Sequence, residues 1–138
     1  MTPLKPLPTL CPDMQSTTTI DKVSLAQKLA LFDDHWNPKI VGELNDSFVK
    51  LVKLKGEFVW HHHEAEDELF LVLKGSLLMR FRDKDVRVDE GEFIIVPRGI
   101  EHQLIADEEV HIMLLEPKST LNTGNIENER TQSELERI

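Results

Sequence analysis

The sequence predicts an all-β domain, built as a small antiparallel sandwich or barrel with one short helix in front of it. Short runs rich in Val, Ile, Leu and Phe recur through the centre of the 138-residue chain, with turn residues between them. Little helical periodicity separates these runs, and glycines stand where successive runs would reverse. Short strands at this spacing are typical of antiparallel sandwiches and barrels. A chain of this length is expected to bury one hydrophobic core.

The N-terminal region predicts an arm followed by a helix. Residues 1–20 contain four prolines and a Ser-Thr-Thr-Thr run, and a segment of this composition is expected to be flexible. A helix is predicted over residues 24–33, because Ser24 and Gln27 have capping-box spacing and apolar residues recur at i, i+4 and i+7. Pro38 follows and directs the chain into extended structure.

The rest of the chain predicts strands separated by turns, and then a polar end. The expected strands cover 39–44, 48–55, 57–63, 68–74, 76–82, 86–89, 92–96, 101–106 and 109–116. A hairpin turn is predicted at 83–85, where the sequence reads Asp-Lys-Asp. Past residue 117 the chain becomes polar, and 122–138 predicts a frayed helix or a disordered tail.

The most informative stretch runs from 56 to 75 and contains three consecutive histidines. Side chains alternate along a strand, so His61 and His63 share one face while His62 points the other way. His62 is therefore expected to be solvated. Glu68 follows across an acidic turn, and we expect it on the strand that pairs back.

A second stretch, from 91 to 102, supplies one more candidate. His102 lies three residues after Gly99 and is placed to face the same interior from a separate strand. Imidazole and carboxylate groups together suit divalent transition metals. The candidate metal ligands are His61, His63, Glu68 and His102.

At these residues the chain resembles the cupin superfamily. The first cupin motif reads Gly, about five residues, His-x-His, three or four residues, Glu, six residues, Gly. Here the matching residues are Gly56, His61, His63, Glu68 and Gly75, with four residues instead of five before the first histidine.

The second cupin motif reads Gly, five residues, Pro-x-Gly, two residues, His, three residues, Asn. The matching residues here are Gly91, Pro97, Gly99 and His102. The final Asn is replaced by Ala106, which leaves the ligand set intact because that Asn is not usually a metal ligand. The two motifs cover 56–106, and the flanking strands extend the resemblance to about 40–117.

The resemblance implies a double-stranded β-helix, or jelly-roll barrel, with a metal inside it. The expected organisation is an arm over 1–20, one cupin barrel domain with its helix over 21–117, and a polar tail over 118–138. Cupins include dioxygenases, sugar-phosphate isomerases and epimerases, lyases, storage proteins and ligand-binding domains of regulators. A fold shared by so many functions does not choose among them.

The ligand set limits the chemistry more than the fold does. Three neutral imidazoles and one carboxylate suit Fe, Mn, Zn, Ni or Cu, and an octahedral ion would keep two positions for water, dioxygen or substrate. Fe(II) would support oxygen activation, whereas Zn(II) or Mn(II) would act as a Lewis acid. The sequence therefore predicts an enzyme of the oxygenase or isomerase/lyase type acting on a small molecule. The alternative is a non-catalytic binding or sensing module.

Several side chains around the histidines have two interpretations. The aromatic and apolar residues Phe58, Trp60, Phe70, Met79 and Phe81 fit either a substrate pocket or an ordinary barrel core. The lysines at 50, 53 and 55 break the alternation of their strand, which indicates a bulge. A solvated lysine is the favoured interpretation, although one of them reaching inward would bind an anionic substrate.

Charge and surface pattern limit the partners. The formal net charge is −9, which disfavours nucleic acid and anionic membranes. The N-terminus lacks a signal-peptide pattern, so the expected location is the cytoplasm. A single cysteine excludes an internal disulfide.

The predicted strands at 68–74 and 92–96 are apolar on both faces. Because such strands need cover, we expect the helix to cover part of them and a homodimer interface to cover the rest.

Overall fold

The computed structural model describes residues 20–138 and shows a jelly-roll fold, as predicted. The helix is α1 (Leu25–Leu29). The strands are β1 (Lys39–Leu44), β2 (Ser47–Glu57), β3 (Glu68–Lys74), β4 (Ser76–Phe81), β5 (Asp85–Asp89), β6 (Phe93–Val96), β7 (His102–Pro117) and β8 (Glu136–Arg137). The predicted arm, apart from Ile20, lies outside the described residues. No helix within 20–138 is long and apolar enough to cross a membrane.

The long strand β7 organises the sheet. The strand order is β5-β4-β7-β2-β1-β8, and β3 joins this path by pairing with β7 on one side and β6 on the other. All pairs are antiparallel except β1 with β8. The first residues of β7 pair with β4 and the later ones with β3, so one strand links both ends of the fold.

Two predicted strands differ from the structure near the histidines. Residues 58–67 form no strand; in that stretch His61 makes a single bridge to His102. Consequently β3 pairs with β6 and β7 rather than with the histidine segment. The two strands predicted over 101–106 and 109–116 are one continuous strand, because β2 pairs with β7 on both sides of the exposed acidic residues between them.

The interior is apolar along the inward faces of the strands. Its buried members are Val52, Leu54, Phe58, Phe70, Val72, Leu77, Met79, Val88, Val96, Leu104, Ala106, Val110, Ile112 and Leu114. The prediction that the lysines of β2 are solvated is wrong for two of the three. Lys50 is 2% exposed and Lys53 is 7% exposed. Each is buried with a partner: Lys50 with Glu116, and Lys53 with carbonyl groups at and just after the end of the helix.

The helix lies over β2, and this position differs from the expected one. Lys53 Nζ donates to the carbonyl oxygens of Leu29 at 2.8 Å and Phe32 at 2.6 Å, which ties the end of the helix to the outer face of β2. The outward side chains of β6 therefore gain no cover from it: Phe93 is 61% exposed and Ile95 is 52% exposed. For the outer face of β6, the predicted cover by the helix is therefore wrong.

The chain after β7 returns across the barrel, and we call residues 118–138 the C-terminal strap. It consists of turns and the short β8, not the predicted frayed helix or disordered tail. Asn125 N–H donates to the carbonyl of His62 (3.1 Å), and His62 N–H donates to Asn125 Oδ1 (2.9 Å). Arg130 donates to the carbonyl of Glu57 at 2.6 Å. The strap is thus held against the histidine segment by paired backbone and side-chain contacts.

Candidate metal centre

The four residues singled out in the sequence meet inside the barrel. One ligand atom from each of His61, His63, Glu68 and His102 lies within 4.8 Å of the others. All four residues are buried, with exposures from 0% to 5%. Groups of this kind and spacing are suited to hold one metal ion.

Backbone contacts between two segments bring the ligands together. His61 N–H donates to the carbonyl of His102 at 3.0 Å, and His102 N–H donates back at 2.9 Å, so the two residues lie directly opposite each other. Gly99 N–H donates to the carbonyl of His63 at 2.7 Å. Glu68 enters from the first position of β3. The segment 58–67 is therefore not a strand, yet its backbone contacts hold His61 opposite His102 at the start of β7 and fix His63 two residues further along.

Two of the imidazoles have their orientation determined by backbone carbonyls. His61 Nδ1 lies 2.9 Å from the carbonyl oxygen of Val59, and His102 Nδ1 lies 2.8 Å from that of Ile100. A carbonyl can only accept, so each Nδ1 carries the proton and each Nε2 keeps a lone pair. In metal sites, a hydrogen bond from the ring nitrogen that does not bind the metal orients the imidazole and selects its tautomer. His61 and His102 are therefore both prepared to ligate through Nε2.

The polar atoms at the centre lack ordinary hydrogen bonds. His63 Nε2 lies 2.9 Å from Glu68 Oε1, and His102 Nε2 lies 3.4 Å from the same oxygen. None of these three atoms, nor His63 Nδ1, makes a hydrogen bond of acceptable geometry although all are buried. Buried polar atoms without partners cost free energy, and a cation among them would remove that cost. The donor set therefore fits a divalent transition metal.

The protonation states also suit a cation. Burial lowers the pKa of His61 to about 4, and the nearby His102 adds to the effect. A histidine with this pKa is neutral at pH 7, the form that binds metal. Burial alone would raise the pKa of Glu68, but the close His102 and His63 outweigh it and hold that pKa well below its usual value. Glu68 is therefore an anion inside the barrel.

A second buried carboxyl group stands beside the four candidates. Glu116 is 3% exposed, and its Oε1 accepts a hydrogen bond from Lys50 Nζ at 2.7 Å. Burial and the charge of Glu68 raise the pKa of Glu116 well above its usual value, whereas Lys50 acts in the opposite direction. The interior thus contains a buried Lys50–Glu116 contact that sequence reasoning did not anticipate. Its partners are 66 residues apart, so no local spacing indicates it.

The candidate centre opens into a small cavity of about 40 Å³. The lining residues are Trp36, Pro38, Val52, Leu54, Phe58, His61, Glu68, Phe70, Leu104, Leu114, Glu116 and Asn122. Most of these walls are apolar. Asn122 belongs to the C-terminal strap, so the strap closes part of the cavity.

The aromatic residues proposed for the pocket divide into different environments. Phe58 and Phe70 line the cavity, and Phe58 stacks on Trp36 with ring centroids 4.7 Å apart. Trp60 lies outside the cavity against Arg82, whose guanidinium carbon is 3.8 Å from its ring centroid. Met79 is core, and Phe81 borders a separate outer depression. Sequence reasoning did not predict that Trp36 lines the cavity. The one local signal was weak: Trp36 stands close to Pro38 in the loop before β1.

The remaining histidines lie outside the cluster. His62 contacts Glu64, and its side chain is 22% exposed, so it points away from the other two histidines of its run. His35 and His111 both contact the Glu109 carboxylate, at 2.7 and 3.1 Å. That carboxylate is 43% exposed, and its contacts with His35 and His111 lower the pKa of Glu109 to about 2.

Known proteins share the fold and part of the sequence. The family model for the cupin domain matches residues 48–116. A crystal structure of a cupin-2 domain containing protein from Shewanella frigidimarina NCIMB 400 is 44% identical, with a TM-score of 0.69; the alignment covers 70% of this chain and 94% of that one.

Two curated relatives match over shorter segments. YdbB of Bacillus subtilis is 42% identical over 64 residues, which are 46% of this chain and 57% of YdbB. Acireductone dioxygenase 4 of Oryza sativa subsp. japonica is 38% identical over 68 residues, which are 46% of this chain and 36% of that protein. The chain therefore matches only about half, or less, of the length of these two relatives.

Proposed function

The chain belongs to the cupin family, and from that premise we propose that it binds one divalent transition metal and acts with it on a small organic molecule. The proposed ligands are His61, His63, Glu68 and His102. The observation that carries the proposal is the convergence of four buried ligand atoms, all within 4.8 Å of one another. Cupins commonly bind small molecules, and the cavity beside these atoms is where such a molecule would reach the metal.

Each part of the site has a role under this proposal. His61 and His102 present Nε2, because backbone carbonyls hold the protons on Nδ1. Glu68 offsets one of the two charges of the ion. The apolar walls, including Phe58 and Phe70, exclude bulk water and strengthen electrostatic interactions inside the cavity. When bound, the metal supplies oxygen activation if it is Fe(II) and Lewis-acid polarisation if it is Zn(II) or Mn(II).

Within this proposal we favour an oxygenase over an isomerase or lyase. The supporting observation is the 38% identity to acireductone dioxygenase 4 over 68 residues. The matched part is only about a third of that enzyme, so its substrate does not transfer with the resemblance. A binding or sensing role without turnover is the competing function, and a search for oxygen consumption distinguishes it from the oxygenase.

The test is elemental analysis of tag-free protein, as purified and after anaerobic Fe(II) loading. We expect about one equivalent of metal in the wild type and loss of binding in His102→Ala, because the variant removes a buried Nε2 donor. His62→Ala is the matched control and should keep the full equivalent, since His62 points away from the cluster. One retained equivalent in His102→Ala would refute the ligand assignment.

If metal binding holds, oxygen-uptake screens with small organic acids and ketones follow. Oxygen consumption that requires Fe(II) and is lost in His102→Ala supports the oxygenase. A full equivalent of zinc in protein from cells supplied with both metals favours the Lewis-acid branch. Metal binding without turnover of any compound favours the binding module.

We further propose that the chain forms a homodimer through the outer face of β6. In the described chain β6 pairs only with β3, so one of its edges is free. Phe93 and Ile95 expose more than half of their surface on this strand. An apolar strand with a free edge is suited to pair with another strand, and a second copy supplies the same surface about a two-fold axis.

A further inference from the structure

Two residues form the entrance of the cavity beside the candidate metal centre. Of the residues that line the cavity, only Trp36 and Asn122 are partly exposed, and all the others are buried. Trp36 belongs to the loop before β1, and Asn122 belongs to the C-terminal strap. The cavity of about 40 Å³ has room for only a few non-hydrogen atoms. The outer end of a longer molecule would therefore lie beside Trp36 and Asn122.

The backbone of Trp36 is held in a conformation that large side chains rarely adopt. Its φ is 62°, in the left-handed region. Trp36 N–H donates to the carbonyl of Lys53 at 2.9 Å, and the indole N–H donates to the carbonyl of Lys55 at 2.8 Å. The ring also stacks on Phe58. Residues held in such strained conformations cluster at active sites and ligand clamps, which points to a binding role for the entrance.

Arg130 of the C-terminal strap lies at this entrance. Its carbonyl oxygen accepts a hydrogen bond from Asn122 Nδ2 at 2.7 Å. Its Cζ lies 5.4 Å from the ring centroid of Trp36 and 5.8 Å from that of Phe58. Nη1 donates to the carbonyl of Glu57 at 2.6 Å. These contacts place a guanidinium group beside both partly exposed residues of the cavity wall.

The Arg130 guanidinium has no acidic partner within residues 20–138. Carboxylates pair there with four other arginines: Arg80, Arg82, Arg98 and Arg137. A guanidinium group stays charged in proteins and has five N–H donors. The hydrogen bond from Nη1 leaves Nε–H and Nη2–H, which together form a planar fork that matches the two oxygens of a carboxylate. Arg130 is therefore suited to pair with a carboxylate at the outer end of a ligand.

We propose that the site selects small dicarboxylic acids and that Arg130 is the residue that makes this selection. One carboxylate of the ligand reaches the metal, and the other pairs with Arg130 at the entrance. The ring centroid of Phe58 lies 5.4 Å from that of His61 and 5.8 Å from Arg130 Cζ, so a chain of a few carbon atoms spans the two ends. This substrate class rests on the metal site proposed above.

The experiment titrates the Co(II)-loaded 138-residue chain with succinate and glutarate, each compared with its monoamide, and measures the heat of binding. The amide has nearly the shape of the carboxylate but no charge, so each comparison isolates the second carboxylate. The wild type should bind at least one diacid about tenfold tighter than its monoamide, the selectivity expected of a hydrogen bond between charged groups. Equal affinities within both pairs, or no binding of either diacid, would overturn the proposal without any variant.

Arg130→Gln separates the guanidinium from the preference of the metal itself for a second carboxylate. Glutamine keeps an N–H donor for the Glu57 carbonyl, and we expect the diacid preference to fall about tenfold. Arg87→Gln is the matched control and should retain the wild-type preference. Arg87 is exposed on β5, donates to Ser76 Oγ and likewise makes no ion pair with a carboxylate among the described residues. Equal weakening of diacid and monoamide in Arg130→Gln would show that Arg130 only holds the strap, which refutes the selection role.

Metal content separates this proposal from the one on which it rests. A wild type that binds no Co(II) would refute the metal site and the selection with it. Full metal content with equal affinities for diacid and monoamide would refute the role of Arg130 alone. If Arg130→Gln also loses metal, the comparison of diacid with monoamide in the wild type decides. Full metal content in both proteins, with the diacid preference reduced only in Arg130→Gln, supports both proposals.

Discussion

A buried neutral histidine links the candidate site to the stability of the barrel. Burial lowers the pKa of His61 to about 4, below the usual 6.5. Between these values the unfolded chain binds a proton that the folded metal-free protein does not. The free energy of unfolding therefore falls as pH drops from 6.5 towards 4, and the His61 contribution is constant above and below that window.

We expect the metal-free wild type to lose on the order of 2 kcal/mol more stability than His61→Gln between pH 7 and pH 5. The variant has no imidazole at this position, so the proton uptake of unfolding is smaller. Urea unfolding of chelator-treated protein at the two pH values measures the difference. His62→Gln is the control and should follow the wild type. Parallel pH profiles of wild type and His61→Gln would contradict the shifted pKa.

The individual residues also show how far sequence reasoning extends. The motif spacing predicted that His61, His63, Glu68 and His102 would come together, and their ligand atoms do converge. Spacing did not predict the Lys50–Glu116 pair, because a lysine in a strand is usually solvated and its partner lies 66 residues away. Charge pairing at this distance in sequence is a product of the folded topology.

At the scale of elements, the sequence predicted best the strands that have turn residues at both ends. The bounds of β1 and β3 match the predicted 39–44 and 68–74, because turn residues limit both runs and alternation is regular in β3. The predicted strand 57–63 has a similar alternation, but its residues 58–63 make no ladder, and only Glu57 belongs to β2. Alternation of apolar and polar residues indicates which face of an extended chain each side chain occupies. It does not report whether a neighbouring strand is available for pairing.

Other elements depend on contacts that local patterns do not encode. The acidic residues at 107–109 resemble a turn, yet β7 continues through them because β2 pairs along both sides of the interruption. The strap has a polar composition that is typical of disorder. It folds here because its backbone is paired with the histidine segment and with β1.

The strap provides a test through Gly124, which has φ +57°. A Cβ atom added there would lie 2.3 Å from the His62 carbonyl oxygen, a distance that requires the strap or the histidine segment to move. Gly124→Ala should therefore cost more than the roughly 1–2 kcal/mol of left-handed backbone alone. We expect lower stability in urea and faster proteolysis within 118–138.

Gly91→Ala is the matched control for that experiment. Gly91 also has a positive φ, +83°, but a Cβ atom there has no heavy atom within 4 Å. This variant should show the backbone cost without release of the strap. Equal losses of stability and unchanged proteolysis in the two variants would indicate that the strap does not depend on its close approach to His62.

At the scale of the whole molecule, the exposed face of β6 predicts the oligomeric state. If a second copy covers this face, Ile95→Lys should weaken self-association by about tenfold or more, because each copy loses an apolar contact and gains a charge. Sedimentation across a range of protein concentrations measures the change. Leu44→Lys is the control: Leu44 is 57% exposed and lies on β1, away from β6. A monomeric wild type, or a dimer unaffected by Ile95→Lys, would refute the proposed interface.

The strap also has a consequence for how this protein can diversify. The family match ends at residue 116, whereas Asn122, one wall of the cavity, comes from the segment beyond it. The four candidate ligands therefore lie inside the matched segment, whereas one of the residues that line the cavity lies outside it. Substitutions at Asn122 can reshape the entrance without touching the four candidate ligands. Libraries of variants restricted to 118–138 are therefore a direct way to change the shape of the cavity while all four candidate ligands stay in place.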